Sequence, residues 1–129
     1  EGSGESATHF MRALATGETT WEMVNVINRG YIENISDGII VELPTFVNDM
    51  GLKPMHIGRL PDGIAAKCEA LGREYVLLVD AAVECSLQKA AEAMYLDPLC
   101  AMADDPEGLL RALIEENLDL LPEAWRHVY

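Results

Sequence analysis

The sequence predicts an α+β fold, a small antiparallel sheet joined to long helices, and three observations point there. Apolar residues near the start recur at helical spacing. The middle of the chain holds short runs rich in β-branched and aromatic residues, separated by turn signals. The stretch 64–95 contains no proline and carries an apolar stripe. With 129 residues, half of them apolar, residues 1–129 are expected to form one domain with a core of ordinary size.

Ser3-Gly4-Glu5-Ser6 offers a capping serine, and Ala7, Phe10, Met11 and Leu14 follow at the spacing of one helix face, so a first helix is expected over residues 4–15. Thr16-Gly17-Glu18 breaks it. Thr20-Trp21-Glu22-Met23-Val24-Asn25-Val26-Ile27 alternates as a strand does and ends at Asn28-Arg29-Gly30. A second strand is expected over 39–43, closed by Pro44, which cannot donate to a central ladder, with Thr45-Phe46-Val47 continuing past a bend. Asn48-Asp49-Met50-Gly51 has turn composition, and a third strand over 53–57 is ended by Gly58. Short connections make these strands antiparallel.

Pro61-Asp62-Gly63 has the composition of a helix start. From Ile64 to Tyr95 the sequence predicts one long helix or two abutting ones, with Val76, Val79, Val83 and Leu87 as its apolar stripe and Leu71-Gly72-Arg73 as its kink. Leu77 and Leu78 fall outside that stripe, so the helix is apolar over more of its circumference than one buried face needs, which implies a second contact surface. Asp97-Pro98 ends it, Asp104-Asp105-Pro106-Glu107 starts another helix over 108–120, and Pro122 opens a terminal turn or helix.

The 22 acidic residues against 9 basic ones give a formal charge of −13, a surface that repels phosphate backbones, so nucleic-acid binding is not expected. No apolar run approaches the roughly 20 residues that span a bilayer, and the start lacks the pattern of a signal peptide; a chain off the membrane, in the cytoplasm, is expected. Cys68, Cys85 and Cys100 show no CxxC spacing and read as reduced core thiols. The opening has no Met and runs straight into a helix cap, which fits a piece of something longer.

Val24-Asn25-Val26-Ile27-Asn28-Arg29-Gly30-Tyr31-Ile32-Glu33-Asn34-Ile35, followed by Val41-Glu42-Leu43-Pro44, resembles the V-N-x-x-N-x-G-x-I-x-N-L and V-V-E-V-P series of glycoside hydrolase family 4. Gly51 through Pro54 and Ile57-Gly58-Arg59-Leu60-Pro61 are similar to its N-G-x-x-P and V-G-x-L-P. Val83-Glu84 to Ala93 and Leu96-Asp97-Pro98-Leu99 are similar to its V-E-A-A and A-L-x-x-D-P-L, and Ser3-Gly4-Glu5 to its S-G-E. The resemblance implies a C-terminal domain of lactate/malate dehydrogenase type, packed in the parent against an N-terminal dinucleotide-binding domain. It also implies an NAD- and manganese-dependent glycosidase that works by oxidation and elimination rather than by paired carboxylates. The family's metal-binding Cys and His and its catalytic residue lie upstream, so no catalytic, cofactor-binding or metal residue is carried over here. The chain alone is expected to be inactive.

Two residues are candidates for substrate binding. Asn28 could face the sugar cleft, and Arg29 could hold a carboxylated or phosphorylated sugar, for which its planar fork of donors is suited. The competing reading is a turn in which Asn28 satisfies backbone groups, Gly30 supplies a positive φ and Arg29 is solvated. Glu42, inside an apolar strand, needs a partner or water, and His9 could reach another domain or subunit. His56 reads as a half-exposed structural residue, and Trp21 and Trp125 as packing anchors. A homo-oligomer is expected in the parent. The alternative function is a non-catalytic self-association module of dehydrogenase-like fold.

Overall fold

The computed structural model describes residues 7–128. Its first helix, α1 (Ala7–Thr16), ends because Gly17 takes φ +77° and its N–H bonds the Ala13 carbonyl at 3.2 Å, a left-handed helix stop. A Cβ on Gly17 would also lie 3.2 Å from the Asp49 carboxylate. The S-G-E motif and the serine cap fall outside the described residues.

Strands β1 (Thr20–Ile27), β2 (Ile40–Asn48) and β3 (Gly51–Pro54) form one antiparallel sheet in the order β1-β2-β3. The second strand does not stop at Pro44. It runs unbroken to Asn48 with Pro44 opposite Met23, although β2 is the central strand. The Pro44 carbonyl accepts from Met55 N at 2.9 Å, so its missing N–H faces the same edge, where β3 has just ended and no donor is needed. The third strand correspondingly lies earlier than expected, before His56.

Alternation along the strands puts Leu43, Thr45 and Val47 inside, with α1 packed against β1 and β2. The other face of the sheet exposes Trp21, Met23, Ile27, Ile40 and Phe46. Trp21 is therefore no packing anchor within this chain. The core of this part gathers Ile32, Ile35, Ile39 and Leu43, with Val26, Tyr31, Val41 and Leu60 against them.

By its internal contacts the chain forms two units, one up to Ala65 and one from Ala66. Helix α2 (Asp62–Glu84) runs through Gly72, and the break falls instead at Cys85. Cys85 adopts φ +52° while Ser86 N bonds the Ala81 carbonyl at 3.0 Å, the bond of a Schellman stop with cysteine where glycine is usual. Ser86 then caps α3 (Leu87–Leu96) by accepting from Lys89 N. Helix α4 (Pro106–Glu116) starts earlier than expected, because Asp105 caps it through Gly108 N at 2.8 Å and Pro106 occupies its first turn.

The second unit's core is Ala81, Ala90, Ile114 and Trp125, with Leu87 and Leu110 against it, so Trp125 is the anchor expected of it. Val76, Val79 and Val83 are exposed instead; the buried residues of α2 are Ala65, Gly72, Glu74 and Ala81. No helix among the described residues is long and apolar enough to cross a membrane.

Candidate functional site

The chain's singular feature is the loop between β1 and β2, which carries both candidate substrate residues. Asn28 follows the last residue of β1 and is fully buried. Its amide Nδ2 donates to the carbonyls of Ile35 at 2.7 Å, Ile32 at 3.1 Å and Ser36 at 3.4 Å, and its Oδ1 accepts from Ile32 N at 3.0 Å. Its backbone is also engaged, with N–H donated to Ile39 O at 2.7 Å and C=O accepting from Gly38 N at 3.0 Å. One side chain thus substitutes for the ladder that the chain loses as it leaves the sheet.

Asn28 does not face a cleft with its side chain. Buried with its donors and acceptor engaged, it acts on anything outside only by setting the position of its neighbours. The neighbour so set is Arg29, which is exposed and makes no ion pair with a described residue. Gly30 follows at φ +77° with open space where a Cβ would be, so glycine is favoured there by backbone conformation alone.

The loop's far side is locked to residues 57–60. Tyr31 O accepts from Ile57 N at 2.8 Å, and Glu33 N donates to Gly58 O at 2.9 Å. Asn34 makes a reciprocal clasp, its Nδ2 on Leu60 O and its Oδ1 under Leu60 N, both at 2.9 Å. His56 lies outside any strand, exposed, with Nε2 3.6 Å from Glu33 Oε1. Asn34 was not singled out from the sequence. Its place in the motif, two residues after a core isoleucine, was the available signal.

Glu42 sits on the exposed sheet face opposite Asn25, so no partner has to be found for it inside the chain. Asp97 of the D-P-L motif accepts from Leu99 N at 2.7 Å and Cys100 N at 2.8 Å, and the Cys100 bond chiefly holds its carboxyl below the usual range. Burial pushes the Cys100 thiol up, aided by Asp97. Glu74 is buried, its Oε2 has no hydrogen-bond partner, and burial followed by the nearby Asp97 raises its pKa. Among the described residues no group of three His, Cys, Asp or Glu side chains could hold a metal ion.

The three-stranded antiparallel sheet, the four helices and the clasped loop make up an α+β domain. The model of the family 4 glycosyl hydrolase C-terminal domain matches residues 1–100, and the chain belongs to that family. The phospho-alpha-glucosidase PagL of Clostridium acetobutylicum is 35% identical over 107 residues, 81% of this chain and 24% of its own length. An alpha-galactosidase of Rhizobium meliloti is 31% identical over 113 residues, 88% of this chain and 23% of its own length. Among solved structures, a 6-phospho-alpha-glucosidase from gut microorganisms in complex with NAD and Mn2+ superposes with TM-score 0.88 at 32% identity, covering 95% of this chain and 28% of that one. The chain therefore spans about a quarter of the length of these relatives.

Proposed function

We propose that this chain forms the C-terminal part of a glycosidase that cleaves O-glycosidic bonds by NAD-dependent oxidation and elimination, and that Arg29 binds an anionic group on the sugar. The observation that carries the substrate reading is Arg29 itself. It is exposed, makes no ion pair with a described residue, and stands on a loop fixed on one side by Asn28 and on the other by Asn34. A guanidinium held by its backbone rather than by a carboxylate keeps its fork of donors free for a carboxylate or phosphate. Two of the relatives described above are phospho-glucosidases, which makes a phosphorylated glycoside the first substrate to try and a uronide the second.

Neither NAD nor manganese is assigned to a residue of this chain. The described residues offer no metal cluster, and the sequence has no G-x-G-x-x-G turn to take a pyrophosphate. No chemical step is therefore assigned to a side chain here, and the contribution proposed is binding and orientation. The 129-residue chain alone should neither bind NAD nor turn over a nitrophenyl glycoside with manganese; calorimetry and a colorimetric assay check this.

The test of Arg29 needs the full-length protein. A charge-assisted hydrogen bond of this kind contributes about 1.5–3 kcal/mol, so Arg29→Ala should raise KM for a 6-phospho-glycoside roughly 10- to 150-fold and leave KM for the neutral glucoside or galactoside nearly unchanged. Equal changes on charged and neutral substrates would make Arg29 structural, and no change on either would leave it a solvated turn residue.

A further inference from the structure

Helices α3 and α4 line an open cavity in the second unit. Its volume of about 440 Å³ falls in the roughly 300–1,000 Å³ range of small-molecule sites. The floor is apolar, made by Leu87 and Ala91 of α3 and Leu110 of α4, all three half-buried. Leu87 and Leu110 rest on the core of Ala81, Ala90, Ile114 and Trp125, so folding of the unit fixes the floor before any ligand arrives. The wall is polar and exposed, formed by Gln88, Glu92, Tyr95, Glu107 and Arg111. The helix repeat places these groups: Leu87, Ala91 and Tyr95 stand four residues apart, as do Gln88 and Glu92 beside them and Glu107 and Arg111 on α4. Gln88 Nε2 donates to Glu92 Oε1 at 2.9 Å, and Tyr95 Oη lies 3.5 Å from Glu107 Oε1, a long contact that joins the end of α3 to the start of α4. Arg111 makes no ion pair with a described residue.

We propose that this cavity binds an uncharged polyhydroxylated ligand, a sugar unit, with the Tyr95 ring and the apolar floor under its C–H face and the polar wall around its hydroxyls. The chemistry of the wall selects the class. It sets two carboxylates, which accept, beside a guanidinium, which donates, and an amide, which does both. An anion would meet Glu92 and Glu107, and a cation would meet Arg111. Hydroxyls donate to the carboxylates and accept from the guanidinium without bringing a charge into the site. The proposal rests neither on the glycosidase reading nor on Arg29.

The same charges argue against another stretch of protein as the occupant. The centre of a protein interface is depleted of charged groups, and covering Glu92, Glu107 and Arg111 with apolar surface would strip water from all three. The face of this unit that has the character of a covered surface is on α2, where Leu71, Tyr75, Leu78, Val79 and Val83 are exposed.

The experiment titrates the whole isotope-labelled chain with maltose and follows its amide resonances. Shifts should concentrate in residues 87–95 and 107–111 and saturate with a dissociation constant on the order of 1–10 mM. Tyr95→Ala and Arg111→Ala should each weaken binding about fivefold or more, with circular dichroism confirming an unchanged helix content, while Tyr95→Phe, which keeps the ring, should stay within about twofold. Glucose 6-phosphate, repelled by the two carboxylates, should move these resonances less than maltose at equal concentration, and Arg29→Ala should leave the maltose shifts as they are. No saturable shift in these residues at about 50 mM maltose, glucose 6-phosphate binding here more tightly than maltose, or full affinity in both Tyr95→Ala and Arg111→Ala would each overturn the proposal. The kinetic test of Arg29 bears on the anionic-sugar reading alone, so the two fail separately.

Discussion

Replacing Asn28 by alanine tests the claim that one buried amide organises the β1–β2 loop. The substitution removes two well-formed donations to Ile32 O and Ile35 O, one long donation to Ser36 O, and the acceptor under Ile32 N, all in a fully buried setting. The backbone bonds of residue 28 to Ile39 and Gly38 survive, so the loop is loosened rather than severed. Three good hydrogen bonds at about 0.5–1.5 kcal/mol each, plus backbone groups left without partners in the interior, put the loss near 3 kcal/mol. At a urea dependence of about 1 kcal/mol per molar for a unit of this size, the midpoint should fall by roughly 3 M. Urea melts followed by circular dichroism measure the change. Hydrogen exchange read by mass spectrometry localises it, since protection should fall in 20–48 and persist in 106–116. Asn28→Asp separates donor from shape: it keeps the acceptor for Ile32 N but turns a carboxylate oxygen toward three carbonyls. It should be at least as damaging as alanine near neutral pH and recover partly in acid, where a protonated carboxyl can donate again. A loss under about 1 kcal/mol for both variants would refute the reasoning.

Glu74→Gln should stabilise the second unit, by an amount that grows with pH. Burial and Asp97 raise the carboxyl pKa of the folded state, so the folded chain binds its proton more tightly than the unfolded one. Stability is then fullest below the ordinary carboxyl range and declines as pH rises through the folded pKa. Melts of both proteins from about pH 4 to about pH 8 check the sign, and a constant difference would contradict it. Cys85→Val, close in volume but β-branched at φ +52°, should cost about 1–2 kcal/mol in thermal unfolding, while Cys85→Gly should be tolerated. Trp125→Ala should remove about 3–5 kcal/mol from the second unit, because it empties the centre of the cluster around Ala90 and Ile114.

Much of the fold was legible in local chemistry. Gly17 stops α1, Asp105 and Pro106 open α4, and Val24-Asn25-Val26-Ile27 alternates as it does in the sheet, because each signal depends on a few neighbouring residues. The misreadings came where partners distant in sequence decide. Pro44 looked like a strand end, but a proline breaks a ladder only on the side its N–H would face, and where β3 stops is not encoded near residue 44. Cys85 carries no local signal of a helix stop, because cysteine rarely adopts a left-handed conformation, whereas Gly72 carries a kink signal that the fold does not use.

The candidate site divides along the same line. The motif around Asn28, Gly30, Ile32 and Asn34 coincides with the clasped β1–β2 loop, yet spacing alone does not say which members face inward. Asn28 and Arg29 are adjacent just past the end of β1: Asn28 is buried with its amide on the carbonyls of Ile32, Ile35 and Ser36, and Arg29 is exposed. The two residues are then not alternative readings of one site. Any role of Arg29 toward an anionic sugar depends on Asn28 holding the turn, so the two effects should be coupled. In the full-length protein Asn28→Ala should weaken binding of a 6-phospho-glycoside, and adding Asn28→Ala to Arg29→Ala should cost little further affinity. Strict additivity of the two losses in a double-mutant cycle would show that Arg29 is placed by something other than Asn28.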